Sequence, residues 1–160
     1  MSYQSLTFNL ETNINTYLSS SISGSVYGFF PAINDESIAV PYVVSKVVSL
    51  TERDDMPFSG VFDCSFQTAI VTNAANSGSM VQHDSMIESV RALMSDTETL
   101  RSNVNTTSSG CTIITAIPQG MMNRKMETNQ WVYVADYQII TMAVYDPSLV
   151  VYDFTLRPSS

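Results

Sequence analysis

The apolar positions of the chain change period several times, and each change marks an element. Between residues 5 and 20, Leu6, Leu10, Ile14, Tyr17 and Leu18 recur at helical spacing, a one-sided stripe suited to a helix laid on a core. The run "SSSISGS" ends it, with Gly24 as the stop. "VYGFFPAINDES" reads as a loop or short strand closed by Pro31. The period then falls to two. "PYVVSKVVSL" (41–50) opens on Pro41, where a missing N–H costs a strand least, and holds Lys46 inside an apolar run. A polar connection, 51–60, leads to "VFDCSFQTAIV", a strand with Phe62, Cys64, Phe66, Thr68 and Ile70 on one face. Asp63, Ser65 and Gln67 take the other face, so the two strands form a hairpin with a long tip.

Helical spacing returns after residue 72. Ser79 and Gln82 fit a capping box, and Met80, His83, Ile87, Val90 and Met94 form the buried stripe, with Glu88 and Arg91 placed to pair one turn apart. "RSNVNTTSSG" (101–110) reads as a polar loop, "CTIITAIP" as a strand stopped by Pro118, and 119–130 as a second polar connection. The longest strand, "WVYVADYQIITMAV" (131–144), sets Trp131, Tyr133, Ala135, Tyr137 and Ile139 against Asp136 and Gln138. The order is helix, two strands, helix, two strands. It predicts an α+β domain over 1–144, a four-stranded, mainly antiparallel sheet with two helices on one face and long hairpins. Residues 145–160 form an extension, apolar but broken by Pro147 and Pro158.

Composition narrows the function. The 160 residues are 44% hydrophobic and only 14% charged, so the polar surface is largely uncharged and cheap to desolvate against another subunit. Fifteen acidic and seven scattered basic residues give a net charge of −8, without the clustered cations that tight nucleic-acid binding requires. Two cysteines suggest a reduced pair. No stretch reads as a signal peptide or as a membrane span, so the expectation is a soluble chain made in a cytoplasm.

Catalytic constellations are not legible. The single histidine, His83, lies on an apolar helix face, where a packed structural role is expected. One His and two distant Cys do not suggest a transition-metal site, and no glycine-rich phosphate loop occurs. Asp54-Asp55 and Asp35-Glu36 read as solvated turns, and Asn105 opens a formal glycosylation triplet that reads as ordinary loop. Asp63 and Asp136 could approach across the sheet but have no evident acid/base partner. No enzymatic activity, metal or cofactor is expected.

The succession of helix, Pro41-Tyr42 strand, Phe62–Ile70 strand, helix through Ile87, Val90 and Met94, and closing Tyr137–Ile139 strand resembles the tail-completion or tail-terminator proteins of tailed bacteriophages. The resemblance spans roughly residues 3–144 and is carried by hydrophobic patterns. It implies a virion protein: a homo-hexameric ring that caps the tail tube, joins it to the neck or connector protein, and lets DNA pass as unbound cargo. On that expectation Lys46, Asp63, Ser65, Gln67, Asp136 and Gln138 are ring-facing or channel-facing. Two hairpin tips become axial contacts: Asp54, Asp55, Met56 and Phe58 on one, Met121, Met122, Arg124, Lys125 and Met126 on the other. The C-terminal "SLVVYDFTL" would add a strand to a neighbour's sheet edge. The rivals are a head-completion connector, a small-molecule-binding module with its pocket under Trp131, Tyr133 and Tyr137, and last a hydrolase whose activity would depend on His83.

Overall fold

The computed structural model describes residues 6–22, 26–32, 39–53, 60–74, 77–105, 111–127 and 129–143, with side chains at all of them except 77–79, 120–127 and 143. The elements run α1 (Leu6–Ser21), β1 (Gly28–Pro31), β2 (Tyr42–Glu52), β3 (Val61–Asn73), α2 (Ser77–Ser95), α3 (Thr97–Val104), β4 (Cys111–Glu127) and β5 (Gln130–Ala143). The class is α+β, as the periodicity predicts. Among the described residues, the expected four-stranded sheet with two helices is corrected to a five-stranded mixed sheet, ordered β1-β2-β3-β5-β4, with three helices. The additional strand β1 runs parallel to β2, and the other pairs are antiparallel.

Each departure has a local cause. β1 is four residues between Gly28 and Pro31, too short to display a period. The added helix, α3, takes the first four residues of the expected loop. Asp96 caps it, accepting from the Thr99 amide at 3.1 Å, while Leu100 and Val104, one turn apart, pack into the core. Ser79 is not the cap of α2, which begins at Ser77. Pro118 does not stop β4, because the register slips there: Pro118 lies opposite Tyr137 and Met122 opposite Ala135, so four steps of β4 match two of β5. The ladder resumes to Glu127, and the β4–β5 hairpin turns through Asn129, whose φ of 63° asparagine tolerates.

The sheet carries its helices on one face. α1 buries Leu6, Leu10, Ile14, Tyr17 and Leu18, and α2 buries His83, Met86, Ile87, Val90 and Met94. These meet one cluster of strand residues, centred on Phe66, Ile70, Tyr133, Tyr137 and Ile139. On the outer side of α2, Arg91 and Glu88 pair at 3.0 Å, as their spacing predicts. His83 is fully buried, and a chain of short bonds runs from its Nδ1 to the Thr72 hydroxyl (2.9 Å) and on to the Tyr27 hydroxyl (2.7 Å), tying β3, α2 and the lead into β1 together.

Helix side chains also cover the sheet's edges. On the β1–β2 side, the Glu11 carboxylate accepts the Val47 amide at 2.8 Å, just beyond the end of β1 and beside a β-bulge. Asn15 donates to the Phe29 carbonyl at 3.4 Å. On the β4 side, Asn105 acts as a surrogate strand residue, accepting from the Ile113 amide (2.7 Å) and donating to the Ile113 carbonyl (2.8 Å). Arg101 donates to the same carbonyl at 3.2 Å, and Thr97 to that of Ala116 at 3.4 Å. Unpaired edges invite foreign strands, and here the backbone groups that would receive one are occupied at Phe29, Val47, Ile113 and Ala116. The expected addition of a C-terminal strand to a neighbour's edge therefore meets no vacant ladder at these positions.

Both cysteines are buried thiols. Burial, and then the Glu11 carboxylate, push the Cys64 thiol up to about 12. Burial also pushes Tyr137 up to about 12. Both acids stay protonated in the fold after they ionise in the unfolded chain. Their contribution is therefore complete below the unfolded value of about 9 for the thiol and about 10 for the phenol, and is lost as pH climbs toward about 12. We expect no prompt reaction of the native chain with a thiol reagent such as DTNB at pH 8, full reaction in denaturant, and a denaturation midpoint that falls steadily above about pH 9. Prompt native labelling would contradict this burial.

Candidate functional site

Among the described residues, no helix covers the opposite face of the sheet, and its composition follows from strand alternation. Side chains paired across the strands share a face, so the register sorts them into rows. Lys46, Gln67 and Asp136 form one row across β2, β3 and β5. Ser49, Ser65, Gln138 and Ile117 form the next, followed by Thr51, Asp63, Ile140 and Thr115. Beyond the Lys46 row, toward the other end of the strands, the rows turn apolar: Val44, Ala69 and Val134, then Tyr42, Val71 and Val132. The polar rows line a groove of about 540 Å³, bounded by Val48, Ser49, Thr51, Asp63, Ser65, Gln67, Gln119, Asp136 and Gln138 among others.

Inside the groove, Gln67 donates to the Asp136 carboxylate at 3.0 Å. Asp63 faces the Arg53 guanidinium at 3.8 Å, a partly exposed pair that contributes little to stability. The expected approach of Asp63 to Asp136 is corrected by the register. Asp136 lies opposite Gln67, four residues along β3 from Asp63, so at about 3.4 Å per residue their backbones are roughly 14 Å apart. They share a face but not a centre. What the groove offers is hydrogen bonding by amides and hydroxyls with two separated carboxylates.

Lys46, Asp63, Ser65, Gln67, Asp136 and Gln138 thus share one face, as alternation predicts. The other predicted residues stand differently. Asp54, Asp55, Met56 and Phe58 lie outside the described residues. Met121, Met122, Arg124, Lys125 and Met126 are not in a loop: all belong to β4, with Met122 opposite Ala135, Arg124 opposite Tyr133, Lys125 opposite Val132 and Met126 opposite Trp131. Their side chains lie outside the described part. The turn of this hairpin falls beyond Glu127, and the Asn129 carbonyl accepts from the Ala74 amide at 2.8 Å. Of the aromatic residues suggested to cover a pocket, Tyr133 and Tyr137 are buried in the core, and Tyr137 also borders the groove. Sequence reading missed Ser49, Thr51, Arg53 and Gln119 as neighbours of this groove. The bulge between Val47 and Ser49 shifts Ser49 and Thr51 into it, and Gln119 lies in the slipped stretch after Pro118.

His83, at 0% exposure, sits in the helix-covered core, away from this face. Among the described residues, no group of three His, Cys, Asp or Glu is arranged to hold a metal ion, and no helix is long and apolar enough to cross a membrane. No known family model matches the chain, and no curated protein matches it significantly in sequence.

Proposed function

We propose that the protein is a non-enzymatic virion structural subunit of the tail-terminator type, closing into a homo-hexameric ring that caps a tail tube and meets a neck connector. The polar face, uncovered by the described helices while helix side chains reach the sheet's edges at Phe29, Val47, Ile113 and Ala116, is the observation that supports this reading most. A face of amides and hydroxyls with Asp63 and Asp136 is cheap to cover with another subunit. If turned to a channel, its carboxylates would repel phosphates and let DNA pass without sticking. The separation of the two carboxylates and the burial of His83 favour a role without catalysis. Ring closure needs only one heterologous contact repeated by rotation.

The test is the mass of the full chain by light scattering, alone and with a purified tail tube, followed by negative-stain imaging. Rings of about six copies, alone or on tube ends, are the expected result. A monomer that ignores the tube would overturn the ring. If that monomer also melted higher with a small polar ligand, the groove would be a binding pocket instead, a use its volume permits.

A further inference from the structure

Two hydroxyls stand unpaired in the core. Ser45 on β2 and Thr68 on β3 are both at 0% exposure, and neither side-chain oxygen has a hydrogen-bond partner among the described residues. An unpaired buried hydroxyl destabilises a fold, so native cores pair nearly all of them, with protein or with ordered water. We infer that Ser45 and Thr68 hold an internal water molecule between them, under the seam where α1 and α2 meet over the sheet. The site lies on the helix-covered side, so it does not depend on the ring and leaves the polar face untouched.

Register sets the two hydroxyls side by side. Ser45 lies directly opposite Thr68, and Thr68 opposite Ala135, so the three form one row on the core face. Directly opposed residues bring their Cβ atoms to about 4.5–5.5 Å, a separation one water can bridge. The flanking rows are large: Val43, Ile70 and Tyr133 on one side, Val47, Phe66 and Tyr137 on the other. α1 packs on β2 and α2 on β3, and the Tyr17 hydroxyl crosses between the helices to the Leu93 carbonyl at 3.0 Å. The large rows set the height of both helices above the sheet, and a row of Ser, Thr and Ala does not fill that height.

The site is thus both polar and roomy, the two conditions that separate a hydrated pocket from a dry one. Tyr137, diagonal to Thr68 across the β3–β5 ladder, supplies a third partner. Burial raises its phenol most, and the nearby Thr68 hydroxyl lowers it in part. The two oxygens are therefore neighbours, although they do not meet in hydrogen-bonding geometry. A water between Ser45, Thr68 and Tyr137 makes about three hydrogen bonds, the usual number for an internal water.

Oxygen-17 magnetic relaxation dispersion on the full chain tests the site, because it counts water oxygens held for longer than the molecule takes to tumble and does not see hydroxyl protons. The chain carrying Ser45→Ala and Thr68→Val, close in shape but without the hydroxyls, is expected to lose about one long-lived water relative to the native chain. An equal count would overturn the site. Thermal unfolding of the single and double variants gives a second, independent readout. With a bridging water, each single substitution strands the other hydroxyl, so each lowers the melting temperature, and the double variant melts higher than the two losses added together would give. Without one, each substitution removes an unpaired hydroxyl and raises the melting temperature. A rise in either single variant, or simple additivity in the double, would equally overturn the site.

Discussion

Phe66→Ala is expected to lower the unfolding free energy by about 3–5 kcal/mol, the range for emptying an aromatic site in a core that cannot collapse around it. Phe66 is the largest of the side chains buried to below 2% exposure, and it sits on β3, at the centre of the five-stranded order. Its register neighbours on the same face are Val47 on β2 and Tyr137 on β5, strands held at spacings their ladders set. The helices above belong to the same core cluster, so the surroundings are anchored on two sides and little relaxation is available. Domains of this size are stable by only about 5–15 kcal/mol, so the variant should lose a large part of its margin. Urea denaturation followed by tryptophan fluorescence is the measurement, with a large fall in midpoint at nearly constant slope. A loss below about 1 kcal/mol would mean that Phe66 is not packed as described.

Asn105→Ala is the second large effect, and it acts through the backbone of another element. Asn105 supplies both an acceptor to the Ile113 amide and a donor to the Ile113 carbonyl, while its own amide donates to the Arg101 carbonyl at the end of α3. Removing the side chain breaks two hydrogen bonds and uncovers the Ile113 amide, while Arg101 still donates to the Ile113 carbonyl and Thr97 to that of Ala116. The expected cost is on the order of 2 kcal/mol, because partly buried backbone groups are left to find water. It should be accompanied by concentration-dependent association, since an uncovered edge accepts foreign strands. Asn103→Ala is the matched control: its side chain donates to the Thr99 carbonyl within the same helix, on an exposed surface. The two variants differ by two positions, so equal behaviour in denaturation and in sedimentation would refute the edge-sealing role of Asn105.

The split between what could be read and what could not is visible in particular residues. α1, β3 and β5 were legible because their apolar positions repeat over many residues: the faces assigned to Phe62–Ile70 and Trp131–Ile139 are the faces observed. α3 was not, although Asp96, Leu100 and Val104 carried a weak signal. Eight residues hold a helix only when packing supplies what nucleation costs. β4 past Pro118 was misread as loop because proline and polar residues ordinarily end a strand, whereas a register slip accommodates them here. The polar face was legible residue by residue, but its internal geometry was not. Alternation assigns Asp63 and Asp136 to one side and cannot say how far along the strands they are offset.

The sequence by itself therefore determined the class, the layering and the two faces of the sheet, since hydrophobic period is a local property and burial follows from it. It also determined an acidic surface poor in charge, which sets the kinds of partner the chain can meet. Tertiary structure alone decided the strand order, the offset between the carboxylates and the helix side chains that reach the sheet's edges. Those depend on groups far apart in the chain, such as Glu11 with Val47, and on bulges that shift register by a residue or two. A hydrogen bond from a helix side chain to a strand amide leaves no periodic trace. It exists only where packing has already brought the helix to that edge.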